Sequence, residues 1–219
     1  DLTAALADRD AETRLYFLRA RVREQLGNRQ AAASDRNEGL RLTPRDELSW
    51  VARGFAQLTT SPERALSDFR QALRVNPRSL PALRNVAHVL GERMGKTDEA
   101  LAALDRVVEL APDDLDARAS RGVLAARLGK RQLAIDDARL VQAKSRDART
   151  IYKTACTFAL IAANEPADVK SALAALADAL RRDAGLHELA EKDKDLDAIR
   201  GAPGFAELLN AAAALTGKG

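Results

Sequence analysis

The sequence predicts an all-α chain, an α-solenoid of about five antiparallel helix pairs closed by a C-terminal helical cap. Three observations carry that prediction. Pro44, Pro77 and Pro112 stand 33 and 35 residues apart, and each closes an apolar segment of the same shape, AAASDRNEGLRLTP, ALSDFRQALRVNP and ALAALDRVVELAP. An alanine precedes each proline by twelve residues, at Ala32, Ala65 and Ala100. No window alternates apolar and polar residues in the manner of a strand. A period of about 34 residues marks a helix–turn–helix repeat, whose units stack and present a surface rather than a catalytic pocket.

Taken in order, residues 1–12 read as the tail of a preceding, truncated repeat, with Leu2, Ala5 and Leu6 where the end of its second helix falls. The chain is therefore expected to be a C-terminal piece of something longer. The array is assigned to 13–183. Its first unit, about 13–46, carries Tyr16, Ala20, Gly27, Ala32, Gly39 and Pro44; the second carries Trp50, Gly54, Ala65, Phe69, Ala72 and Pro77, with a turn, TTSPE, one residue short. The third carries Leu83, Ala87, Ala100, Leu104, Val107 and Pro112, with one extra residue near Gly95. The fourth offers Gly122, Gly129, Ala134, Ala138 and Val141, with Arg146 in place of the closing proline. A fifth, degenerate pair keeps Tyr152, Ala155, Cys156, Ala172 and Ala179 around a turn stretched by ANEPADVK. Small residues at Ala20, Gly54, Ala87 and Gly122 can face Ala32, Ala65, Ala100 and Ala134, so that two backbones approach closely. Asn76 and Ala111, each before a proline, are helix stops. Ser61 before Pro62 reads as an N-cap with a first-turn proline.

These residues, four units in register and one weak, resemble the tetratricopeptide family over about three quarters of the chain. The register implies a right-handed superhelix with the first helix of each pair on the concave side. The fifth pair followed by DLDAIRGAPGF resembles the end of tetratricopeptide regions appended to large bacterial proteins such as planctomycete serine/threonine protein kinases. The kinase's glycine loop and catalytic aspartate are not in this sequence.

Composition narrows the function classes. The net charge of +3 is small beside 35 basic and 32 acidic residues, which are intermixed without a basic run, so nucleic-acid binding is not expected. Arginine makes up 27 of the 35 basic residues, which with the alanine excess hints at a GC-rich genome. No run of 18 apolar residues exists and no signal peptide opens the chain, so no membrane insertion and a cytoplasmic setting are expected. The lone Cys156 excludes an internal disulfide and sits where a small packing residue is wanted. A reactive thiol is the alternative there. His88 and His187 lack a histidine or cysteine three or four residues away, so no metal is expected. There is no phosphate-cradling loop and no nucleophile elbow. The expectation is a non-enzyme without cofactors.

Arg19, Arg53 and Arg121 stand in first helices, and Asp35, Asp68 and Asp137 follow 15 or 16 residues later in the second helices. Where the first residue is Val86 or Ala155 the partner position holds Ala103 or Ala175. Ion pairs across each hairpin account for this joint appearance. Binding of an anionic ligand by the arginines is the alternative.

From 184 to 219 the period is lost while Leu186, Leu189, Leu196, Ile199, Phe205, Leu208 and Leu209 keep the stretch apolar. A stack needs its last face covered, so this segment reads as a cap, with a helical turn at Asp195–Ile199 and a final helix opened by Pro203. The last helix is expected to dock across the fifth pair. The function expected is a protein-interaction scaffold holding a peptide or partner helix. Its groove residues are Arg14, Phe17, Arg21, Val51, Phe55, Arg84, His88, Ala119, Val123, Lys153 and Thr157. Phe17, Val51 and Phe55 form an apolar pocket, and Arg14, Arg21, Arg84 and Lys153 lend a positive lean, so the partner carries an apolar anchor and acidic residues. The family's terminal-carboxylate clamp is not expected, because Val51 and Phe55 replace its lysine and asparagine. A regulatory or autoinhibitory module of a larger kinase and a self-associating spacer are the rival classes.

Overall fold

The computed structural model describes residues 13–162 and 168–217; the tail of a preceding repeat expected in 1–12 and most of the stretched turn ANEPADVK lie outside the described residues. Five helix pairs follow one another: α1 (Arg14–Gln25) with α2 (Arg29–Arg41), α3 (Glu47–Gln57) with α4 (Pro62–Val75), and α5 (Leu80–His88) with α6 (Thr97–Leu110). Then come α7 (Leu115–Arg127) with α8 (Arg131–Lys144) and α9 (Ala148–Ala162) with α10 (Asp168–Arg182). A 3-10 turn, a short α11 (His187–Ala190), a 3-10 helix at Lys194–Ile199 and α12 (Phe205–Leu215) complete the chain. No strand occurs among the described residues. The chain falls into two compact units, Asp1–Ala103 and Leu104–Gly219.

The hairpins close on small side chains. Ala32, Ala65, Ala100 and Ala134 are fully buried, and the first-helix residues Ala20, Gly54, Ala87 and Gly122 are buried too. A Cβ on Gly54 would stand 2.7 Å from the Phe69 ring and 3.1 Å from the Ala65 carbonyl oxygen. Ordinarily glycine inside a helix costs about 1 kcal/mol relative to alanine. Here the close approach of α3 to α4 outweighs that cost.

Most pairs begin and end by local chemistry. Asp46, Ser79, Asp114 and Asp147 each accept a hydrogen bond from the backbone N–H three residues on, at the start of α3, α5, α7 and α9. Asp46, Ser79 and Asp114 each stand two residues after the closing proline, so the proline stops one helix and the cap starts the next. In the fourth unit, where Arg146 replaces proline, α8 still ends at Lys144 because Ser145 turns extended and Asp147 caps the helix that follows. Ser61 occupies the N-cap of α4 and its carbonyl accepts from Ala65, but its hydroxyl makes no cap.

The extra residue of the third unit lies between Ala87 and Gly95, eight apart where Ala20–Gly27 and Gly122–Gly129 are seven. The structure absorbs it as a π-helical turn, Val89–Arg93, closed by hydrogen bonds from Met94 N to Val89 O and from Lys96 N to Leu90 O. A π turn is how a helix takes in one residue without losing register on either side. Gly95 then turns the chain at a φ of +64°.

The C-terminal segment packs on the fifth pair. Leu186, Leu196, Ile199, Phe205 and Leu209 are buried, whereas Leu208 is half-buried and Leu189 is exposed. The helix at Lys194–Ile199 lies on α9, and α12 contacts α10 and the 184–190 turn. Two details differ from expectation. The 194–199 element is 3-10, and α12 is opened by Gly204 at a φ of +94°, a conformation that disfavours any side chain, while Pro203 lies outside the helix.

Gly54→Ala is expected to lower stability by about 1–3 kcal/mol in chemical denaturation despite its better helix propensity. Phe205→Ala, which empties a buried site, is expected to cost about 3–5 kcal/mol in the same measurement.

Candidate functional site

The surface available for recognition is what remains of the first helices after they have packed. In the amino-terminal unit α1, α3 and α5 are first helices, with α1 and α3 in contact. Phe55 on α3 is 65% exposed, and Val51, one turn earlier, is half-buried. Arg21, Arg84 and His88 are exposed and Arg14 is half-buried. These helices carry few acids. Glu24 is the one acid of α1 and pairs with Arg36. Glu47 is the one acid of α3 and accepts from Asn76 and Ser79, and α5 has none. Phe17 does not join Phe55 and Val51 in a pocket as expected. Its ring lies against Gly39 of α2, where a Cβ would come within 2.8 Å of it, so it fills the hairpin.

In the carboxy-terminal unit the groove residues expected from sequence are mostly consumed by packing. Ala119, Val123 and Thr157 are buried because α7 and α9 pack directly on each other. The Thr157 hydroxyl donates back to the Lys153 carbonyl, and its Oγ1 would stand 3.3 Å from a Cβ at Gly122. Lys153 is half-exposed, but its Nζ donates to Asp116 at 2.6 Å and to Ser120 at 2.9 Å. Its charge is answered within the unit.

The hairpin arginines are likewise answered. Arg19 donates through Nε and Nη2 to Asp35 at 2.9 and 2.6 Å, and Arg53 does the same to Asp68 at 2.9 and 2.7 Å. Arg121 meets Asp137 at 2.7 and 2.9 Å. Each aspartate is buried and takes a further donor: Arg23 for Asp35, Gln57 for Asp68 and Arg118 for Asp137. The second donors stand one turn from the arginine, a signal present in the sequence at spacings of three or four. The hydrogen bond to Asp35 holds the Arg19 guanidinium above its ordinary range, and that to Asp137 does so for Arg121. Fork-to-fork pairing satisfies a buried carboxylate, so these arginines serve the hairpins.

A second polar cluster was not legible in the sequence. On α9, Tyr152 donates its hydroxyl to Asp193 at 2.8 Å, and the Cys156 sulfur lies 3.6 Å from the same oxygen. Asp195 pairs with Arg127 of α7 at 2.7 Å. The ligand atoms of Cys156, Asp193 and Asp195 lie within 4.8 Å of one another. Their chemistry does not favour a cation there: a guanidinium already answers one carboxylate and a hydroxyl the other. Burial, with the nearby Asp193 charge, pushes the Cys156 thiol far up, away from the thiolate a metal needs. Cys156 is a buried packing residue that touches a hydrogen-bonded turn.

Residues 83–114 match the family described as Tetratricopeptide repeat. No curated protein matches the chain significantly. Among solved structures the chain is similar to YrrB, titled a TPR protein with an unusual peptide-binding site, at 21% identity over 88% of this chain and 98% of that one, with a TM-score of 0.60. It is similar to a thermophilic TPR protein of Thermus thermophilus at 20% identity over 90% and 99%, TM-score 0.59. MamA matches at 15% identity over 80% and 94%, TM-score 0.57. At these identities the likeness is one of fold, the helical-repeat solenoid. No helix among the described residues is long and apolar enough to cross a membrane.

Leaving one charge of a hairpin alone is expected to cost more than removing both. Asp68→Ala, which strands Arg53, is expected to destabilise by about 3–5 kcal/mol, and the double variant Arg53→Met/Asp68→Leu by clearly less, in a denaturation double-mutant cycle. Equal losses would reject a paired role.

Proposed function

We propose that the protein is a non-catalytic interaction scaffold whose amino-terminal unit binds a peptide on the exposed surface of α1, α3 and α5. The observation that carries this reading is Phe55, a large apolar side chain 65% exposed on a first helix, with Val51 one turn away and Arg21, Arg84 and His88 exposed on the neighbouring first helices. Glu24 is paired with Arg36 and Glu47 accepts from Asn76 and Ser79, so basic side chains outnumber acidic ones on these helices. An exposed aromatic with basic side chains on the neighbouring first helices fits a segment with one apolar anchor and flanking acidic residues. The likeness to YrrB, a protein titled for its peptide-binding site, supports the same class of partner.

Synthetic peptides carrying one leucine or phenylalanine among acidic residues test this by calorimetry. Phe55→Ala is expected to weaken binding about tenfold or more, and raising salt from about 50 to 200 mM to weaken it further. Binding indifferent to Phe55→Ala and to salt would remove the site. A second reading, self-association, is favoured by Leu18 and Val22 of α1 and Leu26 at its C-cap, exposed at a four-residue spacing. Concentration-dependent molar mass in light scattering, abolished by Val22→Glu, would support it.

A further inference from the structure

The first-helix side of the carboxy-terminal unit is already occupied by the chain itself. Beyond its first residue, Ala148, the residues of α9 that are not buried are Arg149, Lys153 and Leu160, at spacings of four and seven, which mark the face turned away from the packed core. Cys156 belongs to that face by position, three residues from Lys153 and four from Leu160, yet it is buried. What covers it is the turn at Asp193 and the 3-10 helix after it. The segment 191–197 reads EKDKDLD, acidic in four of seven positions, and is followed by Ala198 and Ile199. Its aliphatic residues Leu196 and Ile199 are fully buried. Its acids meet donors on two first helices, Asp193 at Tyr152 of α9 and Asp195 at Arg127 of α7, 68 residues away in sequence. Arg200 braces the turn from behind, donating to the carbonyls of Glu191 and Asp193 at 2.7 and 3.0 Å.

Acidic side chains on first-helix donors with aliphatic anchors beside them is the chemistry argued above for a partner peptide, here supplied in cis. We propose that the α7–α9 face is a second peptide-binding surface, held closed by residues 193–199 as an intramolecular occupant whose latch is the Arg127–Asp195 pair. The surface takes a segment of the form Asp-x-Asp-Leu-x-x-Ile from a partner when the latch opens. This deepens the scaffold reading and rests on it only for the idea that first-helix faces bind acidic segments. Because a bidentate pair between side chains 29% and 16% exposed closes it, against 17% and 4% for Arg19 and Asp35, the latch is open to competition in a way the buried hairpin pairs are not.

The test uses the full chain and a labelled synthetic peptide of residues 191–201. In hydrogen exchange, Arg127→Ala is expected to speed the amides of 193–199 about tenfold while leaving those of α10 and α12 unchanged. Asp195→Ala, which frees the α7–α9 face without altering it, is expected to bind the peptide in fluorescence anisotropy at least about tenfold more tightly than the unaltered chain. Adding Arg127→Ala to Asp195→Ala is expected to abolish that gain. Asp195→Asn, the milder change, covers the case in which the alanine variant fails to fold. Exchange that is unchanged, or that rises equally in α10 and α12, overturns the latch. So does peptide binding that is equal in both chains. Peptide binding lost on Phe55→Ala and kept on Arg127→Ala would assign it to the amino-terminal surface and overturn the second site. Failure of the Phe55-dependent binding would sink the scaffold reading while leaving the exchange result standing.

Discussion

The close approach of two helices over alanine and glycine is the constraint on which the rest of this structure depends. With Ala32, Ala65, Ala100 and Ala134 fully buried, each hairpin is thin, and the space between its helices cannot hold a large side chain except where a glycine makes room. Phe69 has that room over Gly54, and Phe17 has it over Gly39. Interiors at this density respond to a single methyl group. The same thinness explains how a chain with 4% aromatic residues buries a core within each unit.

Thin hairpins bring charged positions within reach of each other. The buried aspartates of three pairs each collect two donors, and a carboxylate so placed is tolerable only because its oxygens are filled. Where the position holds alanine, as at Ala155 and Ala175, packing does the same task without charge. Replacing such a pair by apolar residues often costs little, whereas removing one partner strands a buried charge. Because the hairpin arginines spend their charge inside the pairs, the proposed recognition surface rests on the exposed Arg21, Arg84 and His88 instead.

The first helices of the two units keep different amounts of their outward face exposed. The first helices of the carboxy-terminal unit pack so fully, and α9 is so covered, that little of their outward face is left except under the 193–199 segment. The amino-terminal unit keeps Phe55 in solvent. Copies built from one pattern thus differ in how much of their first helices stays exposed.

The sequence by itself determined the fold class, the pairing of helices and the hairpin chemistry. The reason is that these rest on local rules with short reach: a proline that ends a helix, a small residue a fixed distance away, an arginine and an aspartate on facing turns. It also located the extra residue of the third unit, though not its π-helical form, since the count alone does not say which turn widens. Which first-helix residues face solvent was decided by tertiary structure alone. Val123 and Thr157 share the periodic position of Phe55, and Ala119 that of Val51, and the packing of α9 on α7 buries them. The Tyr152–Asp193 and Arg127–Asp195 contacts join residues 41 and 68 apart, across an aperiodic segment, and no spacing rule reaches that far. Only the folded chain, by laying its tail across α9, brings them together.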